Sequence, residues 1–284
     1  MIRLDAATVL LQWAAGGLFF LWVTTRRRQV SLGYGWLLRG TYLVVAVGAL
    51  IVGVRYGEPV PVRDAASAAV VVATLVALVV SVQRRRAGVA GEHGREHERS
   101  ERVAAMTGIE RTRAAVDVAG AEFPPGLDLI APLVGLVGLV AAGFSAGDPA
   151  GLSVARVVVG AAFLGAVTDA MLLGHWYLVQ PGMPRGPLLE LIRALAMIWP
   201  LEMLVLLWPV GMFSVLNGTI DDGYAGILGW MWAACAIGTI VLVGVTRAAL
   251  KERQYSAVMA ATGLLYLAIL TAFVTDLVAR ALLG

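Results

Sequence analysis

Along the chain, apolar stretches long enough to cross a bilayer alternate with short polar breaks. They fall at roughly 6–24, 38–55, 65–83, 127–146, 152–179, 187–211, 225–246 and 256–279, where a membrane helix needs about 20 largely apolar residues. Backbone groups in lipid must be satisfied within their own segment, so the pattern predicts helices and not strands of a barrel. The first stretch runs into Arg26, Arg27 and Arg28 with no small-residue cleavage site before them, and so reads as a retained span. The expectation is an all-α, polytopic integral membrane protein of about eight transmembrane helices.

Positive charge orients this pattern, because cytoplasmic loops carry the excess of arginine and lysine. Seventeen of the 22 positive residues share one side: Arg26 to Arg28, Arg39, the Arg84–Arg113 segment, Arg185, Arg193, Arg247, Lys251 and Arg253. Arg3, Arg55, Arg63, Arg156 and Arg280 take the other, together with the acidic loop at Asp221 and Asp222. Both termini are therefore expected on the non-cytoplasmic side of a bacterial plasma membrane. Aromatic residues near span ends fit the same frame, with Trp22, Trp36, Tyr42 and Tyr255 at the inner interface and Tyr56, Trp208, Tyr224 and Trp230 at the outer one.

The long loop at 84–126 divides the chain into a three-helix segment (1–83) and a five-helix segment (127–284). Its stretch from Gly91 to Arg102 is almost continuously charged, which suits solvated chain. From Glu101 to Val118 apolar residues interleave with arginines, as in an amphipathic helix lying on the inner leaflet. This loop is the expected meeting point with other membrane or peripheral subunits. A four-plus-four repeat is the alternative division, because Trp22 and Trp176 each precede an inner loop and then a Leu-Leu pair with an arginine close behind.

Composition narrows the chemistry. Hydrophobic residues make up 59% of the chain and charged ones 14%, against about 25% charged in a soluble domain. The single cysteine, Cys235, excludes a disulfide framework, an iron–sulfur cluster and a CxxCH haem attachment within the chain. The single lysine, Lys251, sits in a loop, which excludes a retinal protein. No basic groove interleaved with aromatics points to nucleic acid. P-loop, GxSxG and HExxH patterns do not occur. His93 and His97 stand four apart in the charged loop, too small a ligand set to define a metal site.

Ionisable residues inside the spans cost free energy and are candidate sites for that reason. His175, in Leu172-Leu-Gly-His-Trp-Tyr-Leu-Val179, lies about 7 Å from the inner end of its span, and Glu190 and Arg193 about 4–9 Å from the same surface. Short chain joins the two helices, so His175, Trp176, Tyr177, Glu190 and Arg193 form a candidate ligand-binding group. It suits a quinone headgroup, or with less support a haem b held by one histidine; a structural ion pair beside an interfacial histidine is the plainer alternative. Asp169, about 16 Å from the inner end, and Glu202, beyond Pro200, are candidate proton-relay carboxylates. Asp276 and Arg280 read as an ion pair at the end of the last helix.

Three functions follow as expectations. The chain is a membrane subunit of an energy-transducing or redox complex that binds a quinone and relays protons. Alternatively it is a proton-coupled small-molecule transporter built on Asp169 and Glu202, or a non-catalytic anchor or assembly subunit.

Overall fold

A computed structural model describes residues 4–85, 101, 121–180, 183–252 and 254–284. Among them the chain forms nine helices and no strand. They are α1 (Ala6–Thr25), α2 (Leu32–Arg55), α3 (Pro61–Gln83), α4 (Leu127–Ser145), α5 (Ala150–Val179), α6 (Gly186–Leu207), the short α7 (Gly211–Leu216), α8 (Ile227–Ala249) and α9 (Tyr255–Leu282). His93, His97 and, apart from Glu101, the expected amphipathic helix lie outside the described residues, as does Arg253.

Local chemistry sets the helix ends. Asp5 caps α1 by accepting from the Thr8 backbone N–H at 3.1 Å. Pro61 and Pro187 stand in the first turns of α3 and α6, where a missing N–H costs nothing. α6 stops at Leu207, short of the apolar run's end, because Pro209 pushes Trp208 into extended backbone (φ −86°, ψ 145°). Before α8, Asp222 accepts backbone N–H bonds from Tyr224, Gly226, Leu228 and Gly229 at 2.8–3.3 Å.

Seven of the helices are long and apolar enough to cross a membrane by length and composition. The remaining long helix, α6, has 22 residues but carries Glu190, Arg193 and Glu202. At 1.5 Å per residue it is about 33 Å long, enough to traverse a hydrocarbon core of about 30 Å. Its two ends sit at opposite ends of the bundle. Arg185, before it, donates to the Leu250 and Gln254 carbonyls at 3.0 Å, while Trp208, after it, accepts from Arg156 near the start of α5 at 2.9 Å.

Helix neighbours define two closed rings of four. In one, α1, α2, α3 and α4 pack in sequence and α4 returns to α1; in the other, α5, α6, α8 and α9 do the same. α1 and α5 join the rings, and in each 72% of the most apolar stretch is buried, against 28–44% in α2, α3, α4, α8 and α9. Small residues let the two backbones touch. A Cβ added at Gly16 would lie 1.8 Å from the Ala161 carbonyl oxygen, and one at Gly165 would lie 2.2 Å from the Gly16 carbonyl carbon. The seam between the rings is therefore close-packed, and its polar residues stand out.

Candidate functional site

Asp169, on α5, is wholly buried at the seam. Tyr42, on α2 of the other ring, donates its hydroxyl to Asp169 Oδ1, and Oδ2 has no partner among the described residues. Tyr42 is thus a buried ligand of a carboxylate and not the interfacial aromatic its place in the sequence suggests. Its ring reaches Asp169 by crossing α1 at Gly17, where a Cβ would lie 1.9 Å from the Tyr42 Cζ. Tyr34, one helix turn from the start of α2, is also wholly buried, lies within electrostatic range of Asp169 and has an unpartnered hydroxyl. The neighbouring Thr24 hydroxyl is committed to the Phe20 and Leu21 carbonyls, at 3.1 and 2.8 Å.

A second polar group lies among α5, α6 and α9 of the second ring, with Gln12 of α1 at its edge, toward the end of the bundle that carries Asp5 and Leu282. Glu202 is wholly buried and neither carboxylate oxygen has a partner. Asp276, Arg280 and Arg156 set the field around it. Arg280 and Asp276 form the ion pair expected at i, i+4, with contacts of 2.6 and 3.1 Å. Both are completely buried, and Arg280 Nη1 is unpartnered. Gln12, on α1, donates to the Val157 carbonyl at 2.7 Å and leaves its own Oε1 unpartnered.

Gly160 makes room for this group. A Cβ there would lie 2.8 Å from both Asp276 Oδ1 and Gln12 Nε2, and 3.3 Å from Arg280 Nη2. Arg156 fastens the neighbouring helix by donating to the Val205 and Trp208 carbonyls at 2.8 and 2.9 Å, where the last turn of α6 has no intrahelical donors. Along α5, Gly160 and Asp169 are nine residues and so about 13 Å apart. The two polar groups thus lie at different levels along α5, one holding the half-satisfied Asp169 and the other Glu202, whose two oxygens have no partner among the described residues.

The five residues grouped by depth near the arginine-rich end do not converge. His175 is exposed and its Nδ1 lies 3.1 Å from the Tyr266 hydroxyl on α9. Trp176 donates to the Ser31 hydroxyl at 2.9 Å, and the Tyr177 hydroxyl donates to the Pro184 carbonyl. Glu190 pairs with Arg26 and Arg27, just past α1, and Arg193 is exposed. Equal depth did not mean a shared azimuth.

Among the described residues no group of three or more His, Cys, Asp or Glu side chains stands together as a metal site would require. Gln12 and Tyr34 went unnoticed in the sequence. A glutamine inside an apolar run was the available signal for the first; nothing distinguishes Tyr34 from an interfacial tyrosine. Set against family models, curated proteins and solved structures, the chain matches none.

Proposed function

We propose that this chain is a proton-coupled small-molecule transporter of the cytoplasmic membrane, in which Asp169 and Glu202 take up and release the coupling protons. One observation carries the reading. Two wholly buried carboxylates, Asp169 at the seam between the rings and Glu202 inside the second ring, have three oxygens with no hydrogen-bond partner among the described residues. A buried ionised carboxylate is costly unless paired, and gaining a proton or a water relieves the cost. Ring-to-ring seams are also where many transporters built from repeated halves hold their coupling ions.

Difference infrared spectroscopy of the reconstituted protein between acidic and alkaline buffer tests this without knowledge of the substrate. The expected result is two carboxylic-acid C=O bands that change with pH, one lost in Asp169→Asn and the other in Glu202→Gln. Spectra of both variants identical to the wild type would sink the reading.

A second reading rests on a different observation. His175 and Tyr266 form an exposed hydrogen-bonded pair on the outer surface of α5 and α9. Such a pair suits the carbonyl of a lipid-soluble quinone, which would make the chain a subunit of a redox complex. A stoichiometric quinone that co-purifies with the wild type and is lost in His175→Ala would favour it.

A further inference from the structure

Arg28, just past α1, and Arg84, at the end of α3, meet at Glu122 at the end of the first ring. Arg28 donates to Glu122 and, at 3.4 Å, to the Phe123 carbonyl; Arg84 donates to the Glu122 carbonyl at 2.7 Å. Between them, with Arg39 and Ser31, opens a cleft of about 60 Å³. One water fills about 10–15 Å³ of such space, so the cleft has room for a polyatomic group.

Its charge is unbalanced. Three arginines, Arg28, Arg39 and Arg84, face two carboxylates, Asp128 and Glu122. Arg39 and Asp128 neutralise each other in a bidentate pair at 2.7 and 2.8 Å. Glu122 pairs with Arg28, and among the described residues no carboxylate pairs with Arg84. Arg84 makes its one hydrogen bond through Nη1, and its Nε and Nη2 have no partner among the described residues.

The backbone adds a second sign. Arg28 holds a left-handed conformation (φ 53°) just past the end of α1, a position that usually falls to glycine or asparagine. A guanidinium stands there in spite of that cost.

We infer that this cleft binds the phosphodiester of an anionic membrane lipid. A phosphodiester carries one negative charge, which matches the one cleft arginine without a carboxylate partner among the described residues, whereas free phosphate near neutrality approaches two. Arginine forks are suited to phosphate oxygens, and the Ser31 hydroxyl supplies a further polar group at the wall. The cleft also sits where the first-ring helices end on the arginine-rich side, at the depth of headgroups in a spanning bundle. Basic pockets between membrane helices hold anionic headgroups by this chemistry. The inference is independent of the seam and its carboxylates.

Native mass spectrometry of the full chain in neutral detergent, titrated separately with phosphatidylglycerol, phosphatidylcholine and inorganic phosphate, tests it. Wild-type protein should retain phosphatidylglycerol in preference to phosphatidylcholine, whose own ammonium cancels its charge. Arg84→Gln and Arg28→Gln should each weaken that retention roughly fivefold, the effect of about 1 kcal/mol per arginine near an anionic surface, and Arg84→Lys should restore part of it. Should Arg28→Gln fail to fold, Arg84→Gln decides alone, since Arg84 gives up only one contact to a backbone carbonyl. Undiminished retention in Arg84→Gln overturns the proposal. So does equal retention of the two lipids, or inorganic phosphate that displaces phosphatidylglycerol at equal concentration, which would make the ligand a free anion.

Discussion

Tyr42 is the one protein group that satisfies Asp169, and it does so from the opposite ring. Tyr42→Phe keeps the ring that fills the space over Gly17 and removes only the donor. Leaving a buried acceptor unmet costs about 1–3 kcal/mol, and equilibrium unfolding in mixed micelles should register a loss of that order. Arg39 and Asp128, both nearly inaccessible, give a larger effect. Arg39→Met strands a buried carboxylate and should cost about 3–5 kcal/mol, whereas Arg39→Met with Asp128→Leu should recover most of the loss. A double variant no more stable than the single one would mean that the pair's partners, and not its charges, matter. Asp222 lies outside the membrane helices. Burial pushes its carboxyl up, but the backbone N–H bonds from Gly226, Tyr224, Gly229 and Leu228 outweigh it and hold the carboxyl below its usual range. A depressed folded pKa contributes stability above the unfolded value of about 3.9 that disappears as pH falls through the folded one. Thermal melts of wild type and Asp222→Asn should therefore differ by a constant amount near neutrality and converge below about pH 4.

At the scale of helices, what was legible in the sequence was one-dimensional. Apolar run length located all eight long helices, and it misjudged chiefly where charged or aromatic residues extend a helix past its apolar core, as at Leu32 to Leu37 in α2, or where Pro209 ends one early. Depth along each helix can be counted from residue number, which is how His175 and Glu190 were assigned to one level. Azimuth was not. Whether a side chain meets lipid or a neighbour depends on which helices touch, and that information is distributed over the whole chain. Gln12 and Tyr34 escaped for that reason, and Tyr42 was assigned to the wrong environment. The same neighbour information identifies the contact that governs the seam. Gly165→Ala forces a methyl into the backbone of α1 and should cost about 1–3 kcal/mol or more. Gly244→Ala, in α8, meets nothing within 4 Å, and should be neutral or stabilising by up to about 1 kcal/mol. Equal effects of the two substitutions on unfolding would remove the close α1–α5 approach from consideration.

For the whole molecule, eight alternating long helices put Gly57 and Asp221 at one end and Arg85 and Glu252 at the other. In a Cys235→Ser background, single cysteines at these four positions should divide two and two when an impermeant maleimide is applied to intact cells. Arg85 and Asp221 labelled from the same side would exclude eight crossings. If the arginine-rich end faces the cytoplasm, as the positive-inside rule expects, Arg85 and Glu252 should be the protected pair.

Because α1 and α5 lie at the join between the rings, the order of synthesis acquires a meaning of its own. In a bilayer, a translocon would release α1 while α2, α3 and α4 had yet to follow, and α5 would come only after them. Throughout that interval the Gln12 amide lacks the Val157 carbonyl, and the Trp13 indole lacks the Thr168 hydroxyl that it later meets at 3.0 Å. In lipid the nascent first ring would wait with an unfinished flank, and a ribosome that stalled before α5 would leave a fragment recognisable to quality-control proteases by that flank.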